Sequence, residues 1–151
     1  MTKRIAIGAD HAGFADKEKI KRQLDALGVE YEDVGTDSTE SVDYPIYAQK
    51  VAEKVASGEV ERGILVCGSG NGMQIAANKV RGIRAALAWN EETARLARQH
   101  NDANVLSVPA RVISPEEVAN VIKSYLEAEF EGGRHARRVG EISDLERSEM
   151  S

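Results

Sequence analysis

The chain has 151 residues, 42% apolar and 30% charged, which suits one domain of ordinary size around one hydrophobic core. A net charge of −5 argues against the broad basic surface that nonspecific nucleic-acid binding needs, so an anionic ligand has to be held by a local cationic cluster. The single cysteine, Cys67, excludes an intramolecular disulfide, and no segment has the length of a membrane span or of a signal peptide's apolar region, so the cytoplasm is the expected location.

Apolar runs alternate with helical patterns from the start. Arg4 to Ala9 (RIAIGA) reads as a buried first strand. Ala15 to Leu27 places Ile20, Leu24 and Leu27 on one helical face, with Gly28 to close the helix. Val29 to Val34 is a second strand, followed by a polar loop from Gly35 to Tyr44. Pro45 then opens a helix to about Ser57. Gly63 to Cys67 (GILVC) is the most apolar strand, as a central strand of a parallel sheet should be. It breaks into Gly68-Ser69-Gly70-Asn71-Gly72 and a helix through Lys79.

Ile83 to Ala88 is the fourth strand. Asn90 can cap the next helix, with Glu91 and Glu92 in its positively polarised first turn. Asn104 to Val108 is the fifth strand. Ser114, Pro115 and Glu117 form a strong helix start, and that helix runs to about Phe130. Gly132-Gly133 ends it, a basic helix begins near Arg134, and the polar tail from Asp144 to Ser151 is expected to fray. The whole of 1–151 therefore predicts a single α/β domain, a Rossmann-like three-layer sandwich with a five-stranded parallel sheet. The expected strand order is 2-1-3-4-5, which makes the first and third strands neighbours at the switch point. Their carboxyl ends carry Asp10-His11 and Cys67-Gly68-Ser69, which should meet in one crevice.

Cys67 fits two readings: a small core hydrophobe, or a thiol whose pKa is lowered by a helix N-terminus and which acts as nucleophile or base. The Ser69 hydroxyl, two residues on, is placed to bond the sulfur or a ligand. Gly68 to Gly72 is either a tight turn or a nest of backbone amides that stabilises an oxyanion. It lacks the dinucleotide, P-loop and serine-hydrolase frames. Asp10 can orient sugar hydroxyls and His11 can donate to a phosphate, although such a pair is often just a cap and a surface imidazole. His100, read alone, suits a helix C-terminus. Arg134 and Arg138 stand one turn apart, on a solvated face or around one phosphate, with Arg111 as a third cation. The histidines lie in separate segments without metal-ligand spacing, so no metal is expected.

These pieces together resemble the type B ribose-5-phosphate isomerases over about residues 4 to 142. The motifs are Gly8-Ala9-Asp10-His11-Ala12-Gly13, Asp43-Tyr44-Pro45, Cys67 to Gly72 with Ile75 to Lys79, Gly82 to Ala85, Arg98 to Leu106, and Gly132 to His135 with Arg138. The resemblance implies interconversion of ribose 5-phosphate and ribulose 5-phosphate through an enediolate, without metal or cofactor. It implies Cys67 as the base, His100 as the group assisting ring opening, and Ser69 as a hydroxyl beside the base. Asp10 and Asn101 would contact the sugar, Gly68, Ser69, Gly70, Asn71 and Gly72 would hold the enediolate, and His11, Arg111, Arg134 and Arg138 would hold the phosphate. Relatives that lack the cysteine place a glutamate just past the glycine loop, where this chain has Met73.

The rivals are a sister isomerase for galactose 6-phosphate, allose 6-phosphate or a tetrose phosphate, and a noncatalytic phosphate-sensing module. The expected partner is a second copy of the chain, as a homodimer or a dimer of dimers. Asp10 and Cys67 follow strands, whereas His100, Asn101 and Arg134 belong near the opposite sheet edge, so each active site is expected to be shared between subunits.

Overall fold

The computed structural model describes residues 2–150. Its elements run β1 (Arg4–Ala9), α1 (Phe14–Leu27), β2 (Glu30–Asp33), α2 (Tyr44–Ala56), β3 (Arg62–Cys67), α3 (Asn71–Ala77), β4 (Ala85–Leu87), α4 (Glu91–Asn101), β5 (Val105–Pro109), α5 (Pro115–Glu127) and α6 (Arg134–Glu149). The helix boundaries follow local chemistry. Gly28 closes α1 in the left-handed region, at φ 73°. The Asn90 side chain accepts from the Thr93 amide at 2.8 Å at the start of α4, and Ser114 Oγ accepts from the Glu117 amide at 3.1 Å at the start of α5.

All strand pairs are parallel, and the sheet splits the core into two apolar layers. Side chains alternate along each strand. Ile5, Ile7, Ile64, Val66, Leu106 and Val108 face α1, α4 and α5, packing with Leu24, Ile122 and Leu126. Ala6, Leu65, Cys67 and Val105 face α2 and α3, packing with Val51, Val55 and Met73.

The strand order is 2-1-3-5-4, not the expected 2-1-3-4-5. The reason lies in burial. All five residues of β5 are buried, as an inner strand of a doubly covered sheet requires. β4 has only three residues, and Ala86 and Leu87 are only partly covered, so it forms the edge.

Two helix ends also depart from expectation. α5 stops at Glu127 rather than near Phe130: Ala128 turns extended, and the Glu131 amide donates across to the Gln99 carbonyl of α4 at 3.0 Å. The tail does not fray at Asp144, because α6 continues to Glu149. It is tied down where Glu146 Oε1 accepts from the Gly82 amide at 2.9 Å and Arg81 donates to the Met150 carbonyl. Ser151 lies outside the described residues. No helix among the described residues is long and apolar enough to cross a membrane.

Candidate active site

The crevice expected between β1 and β3 is present as a cleft of about 310 Å³ at the carboxyl ends of the strands. Of the residues singled out above, Asp10, His11, Cys67, Gly68, Ser69, Gly70, Gly72 and Arg111 line it. Asp10 ends β1 in a tight turn, its Oδ1 accepting from the Gly13 amide at 2.8 Å. Gly13 seats that turn on β3, because a Cβ there would lie 2.0 Å from the Val66 carbonyl oxygen. His11 Nδ1 accepts from the Val42 amide at 3.4 Å, which pins the ring to the loop before α2. Arg111 is brought over the glycine loop by its own amide, which donates to the Gly68 carbonyl at 3.1 Å.

The glycines are required by packing as much as by the turn. Gly70 has φ 85°, and a Cβ on it would sit 2.4 Å from a Leu87 methyl. A Cβ on Gly72 would overlap the Tyr44 ring at 2.6 Å.

Cys67 itself corrects two expectations. Its thiol is 3% exposed, and burial pushes its pKa up to about 12 rather than down. The Asp10 carboxylate raises it further, while hydrogen bonds from Ser107 and the Gly70 backbone pull the other way without overcoming burial. Its hydroxyl neighbour is not Ser69, which is exposed and accepts from the Asn71 amide at 3.3 Å. It is Ser107 on β5, whose Oγ lies 3.6 Å from Sγ. The expected strand order puts β4, not β5, beside β3, which leaves Ser107 outside the expected site. One signal was available: a serine in the otherwise apolar run VLSVP. Tyr44 and Met73 also line the cleft without having been singled out for the site.

Asn71, His100, Asn101, Arg134 and Arg138 do not line the cleft. His100 and Asn101 end α4, just before β5 begins, and Arg134 opens α6. The His100 ring stacks on His135 at 4.2 Å between centroids, and both Nε2 atoms lie 3.5 Å from Glu131 Oε1. Two of the three histidine segments that look separate in sequence, those of His100 and His135, thus meet in space. Among the described residues His100, Glu131 and His135 offer ligand atoms within 4.8 Å of one another. The two rings are within 8° of parallel, so their in-plane lone pairs do not converge on one ion as placed. The His135 pKa is lowered by desolvation and by neighbouring His100 and Arg134. Asn101 borders an apolar groove of about 670 Å³ between β4 and α6, with Ile83, Leu87, Ile142, Leu145 and Met150.

The sequence pattern of the Ribose/Galactose Isomerase family matches residues 5–142. Over 144 residues the chain is 49% identical to the ribose-5-phosphate isomerase B of Escherichia coli, covering 95% of this chain and 97% of that protein. The solved ribose-5-phosphate isomerase B of Clostridium thermocellum superposes with a TM-score of 0.94 at 50% identity, covering 96% of this chain and 98% of that one. The Mycoplasma genitalium ribose-5-phosphate isomerase B, solved with bound ribulose-5-phosphate, superposes with a TM-score of 0.92 at 41% identity over 97% of this chain and 98% of that one.

Proposed function

The chain belongs to the ribose/galactose isomerase family, and from that premise we propose that it interconverts D-ribose 5-phosphate and D-ribulose 5-phosphate through an enediolate, using protein groups alone. The names of its relatives support the substrate. The observation that carries the chemistry is the meeting of one thiol, one glycine loop and one carboxylate in a single cleft.

Aldose–ketose isomerisation needs a base beside the carbonyl, donors for the developing oxyanion, and a group to open the sugar ring. In this reading Cys67, as thiolate, takes the proton from C2 of the open-chain aldose and returns it to C1, while the hydroxyl proton on O2 moves to O1. The amides of the loop from Gly68 to Gly72 hold the enediolate, with Asn71 as part of that loop, and Ser69 stands at its mouth. Asp10 orients sugar hydroxyls. His11 and Arg111 face the phosphate, whose binding energy is available for positioning.

Ring opening and the remaining phosphate contacts fall to the partner subunit's His100, Asn101, Arg134 and Arg138. β3 has six residues and spans about 17 Å, so groups near the amino edge of the sheet do not reach a sugar held at Cys67 in the same chain. α6 supports a second subunit as partner: it buries no residue in its own chain and leaves Ile142 and Leu145 47% and 61% exposed.

Turnover of a panel of phosphopentoses, phosphohexoses and phosphotetroses in the presence of chelator tests the substrate. Preference for a six-carbon or four-carbon sugar points to a sister isomerase, and no turnover at all to a sensing module. Subunit exchange between Cys67→Ala and His100→Ala tests the shared site. In trans, each mixed dimer regains one intact site and activity returns. In cis, every site keeps a lesion and mixing restores nothing.

A further inference from the structure

β3 and β5 are direct neighbours, with Leu65 paired to Ser107 and Cys67 to Pro109. Cys67 and Ser107 are therefore diagonal partners on one face of the sheet, the arrangement that lets side chains of adjacent strands touch. Ser107 is 0% exposed in an otherwise apolar strand. A buried hydroxyl is tolerated only when it is bonded, and this one is bonded twice. Its Oγ lies 2.8 Å from the Gly70 carbonyl oxygen, which can only accept, so the serine proton is committed there. The same oxygen is then free to accept from the Cys67 thiol at 3.6 Å. The Val108 carbonyl is a further acceptor for the thiol, at 3.8 Å.

We propose that Ser107 is the positioning residue of the Cys67 base, turning its proton from the Gly70 carbonyl to the sulfur when the thiol ionises. The inference rests on Cys67 being the base. In the neutral state the chain of bonds runs from the thiol to the Ser107 hydroxyl and on to the Gly70 carbonyl. When the thiol releases its proton to solvent, the sulfur becomes an acceptor and the serine proton has one short rotation to make. The carbonyl it leaves belongs to the residue that caps α3, in the loop assigned to the enediolate. The protonation state of the base is thereby coupled to the loop that binds the product of its action. Ser107 lies among the residues behind the cleft and does not line it, so it acts on substrate only through Cys67 and Gly70.

The thiol also faces Asp10 from the end of β1, His11 beyond it, Tyr44 from α2 and Arg111 after β5, all lining the same cleft. Ser107→Ala leaves every one of them in place, so a change in thiol behaviour reports the hydroxyl. The chain has one cysteine, so thiol alkylation reads this site without background.

The test combines Ser107→Ala with Ser107→Thr, which restores a hydroxyl. For the alanine variant the expected kcat falls about tenfold or more, within the range for impairing a general base, with KM for ribose 5-phosphate within twofold of wild type. The rising limb of its pH–rate profile moves to higher pH. Alkylation at fixed pH slows about threefold to tenfold, since fewer molecules are ionised but each thiolate is more nucleophilic. The threonine variant recovers most of both. Alkylation of Ser107→Ala at the wild-type rate overturns the proposal. Slowed alkylation with unchanged turnover leaves Ser107 as the thiol's partner but removes Cys67 as the base, so the two readings fail separately. If the alanine variant does not fold, the infrared S–H stretch of the wild-type protein decides. A band lowered by hydrogen bonding supports the contact, and a band at the free-thiol frequency overturns it.

Discussion

Replacing Cys67 with alanine separates what the thiol does to stability from what it does in turnover. The folded chain pushes the thiol pKa from 9.0 to about 12, chiefly by burial. A raised folded value means that the folded state's preference for the protonated thiol is intact below pH 9 and is lost as pH climbs towards 12. At about pH 10 the unfolded chain is mostly ionised at this position while the folded chain is not, a loss on the order of 1 kcal/mol relative to neutral pH. By pH 12 the loss approaches about 4 kcal/mol. The alanine variant lacks this term. Urea unfolding of both proteins near pH 7.5 and pH 10, at one fixed protein concentration because any association would also stabilise, should show the wild type losing roughly 1 kcal/mol more than the variant. The same variant should lose about 10²–10⁴ in kcat, the usual contribution of a general base. Parallel pH losses for the two proteins refute the burial argument. Undiminished turnover makes Cys67 a packing residue.

Arg138→Ala should raise KM for ribose 5-phosphate at least several-fold with a smaller change in kcat, because a charge-assisted bond to phosphate is worth ~1.5–3 kcal/mol; unchanged steady-state KM removes it from the site. Gly13→Ala forces a Cβ to within 2.0 Å of the Val66 carbonyl oxygen, and since backbone must shift to relieve it, a destabilisation of about 1–3 kcal/mol or more is expected in chemical unfolding. Lys17→Met should cost about 3 kcal/mol, because Lys17 is 1% exposed and its ammonium bonds Asp33 at 2.8 Å and the Thr36 carbonyl at 2.6 Å. Burial alone would raise the Asp33 carboxyl, but hydrogen bonds from Lys17 and Lys21 hold it below its usual range. The stability this gives is present above the unfolded carboxyl pKa and is lost as pH falls, so acid titration of stability should be shallower in the Lys17 variant.

The elements were legible because their signals are local. Alternation, caps and glycine stops marked ten of the eleven elements to within about three residues; α6, at its carboxyl end, is the exception. Its polar tail looked ready to fray, and what holds it is distant in sequence: the Gly82 amide and Arg81 reach Glu146 and Met150. The strand order depended on a comparison between segments. GIRAALA and NVLSVP are both apolar, and only the greater β-branched content of the second hints that it is the inner strand. The direction of the thiol pKa is hidden in the sequence for a related reason. Proximity to a glycine-rich helix start is visible in sequence, whereas the burial that outweighs it arises from Leu65, Met73 and Val105 closing round the same sheet face. The stacking of His100 on His135 pairs side chains 35 positions apart, with a two-glycine turn between, and no periodicity connects them.

Strand order and thiol burial together bear on the proposal that each site is shared between two chains. With β5 beside β3, the sulfur gains a hydroxyl neighbour but is also covered on every side except the cleft. A thiol near 12 is ionised in only about one molecule in 10⁴–10⁵ at neutral pH, too few for a working base. The Asp10 carboxylate raises the thiol pKa further, the wrong direction for a base. Ser107 and the Gly70 amide supply dipoles, not charge. Arg111 lines the cleft, and a denser cluster of positive charge, Arg134, Arg137 and Arg138, is exposed on α6 outside it. In the proposed dimer, a two-fold partner that lays this helix over the cleft would bring both the phosphate ligands and a positive field that favours ionisation of the proposed base. In the same proposal the exposed apolar residues farther along α6, Ile142 and Leu145, would serve as the contact that holds it there. In that proposal binding, activation and assembly all trace to α6, none of whose residues is fully buried in its own chain.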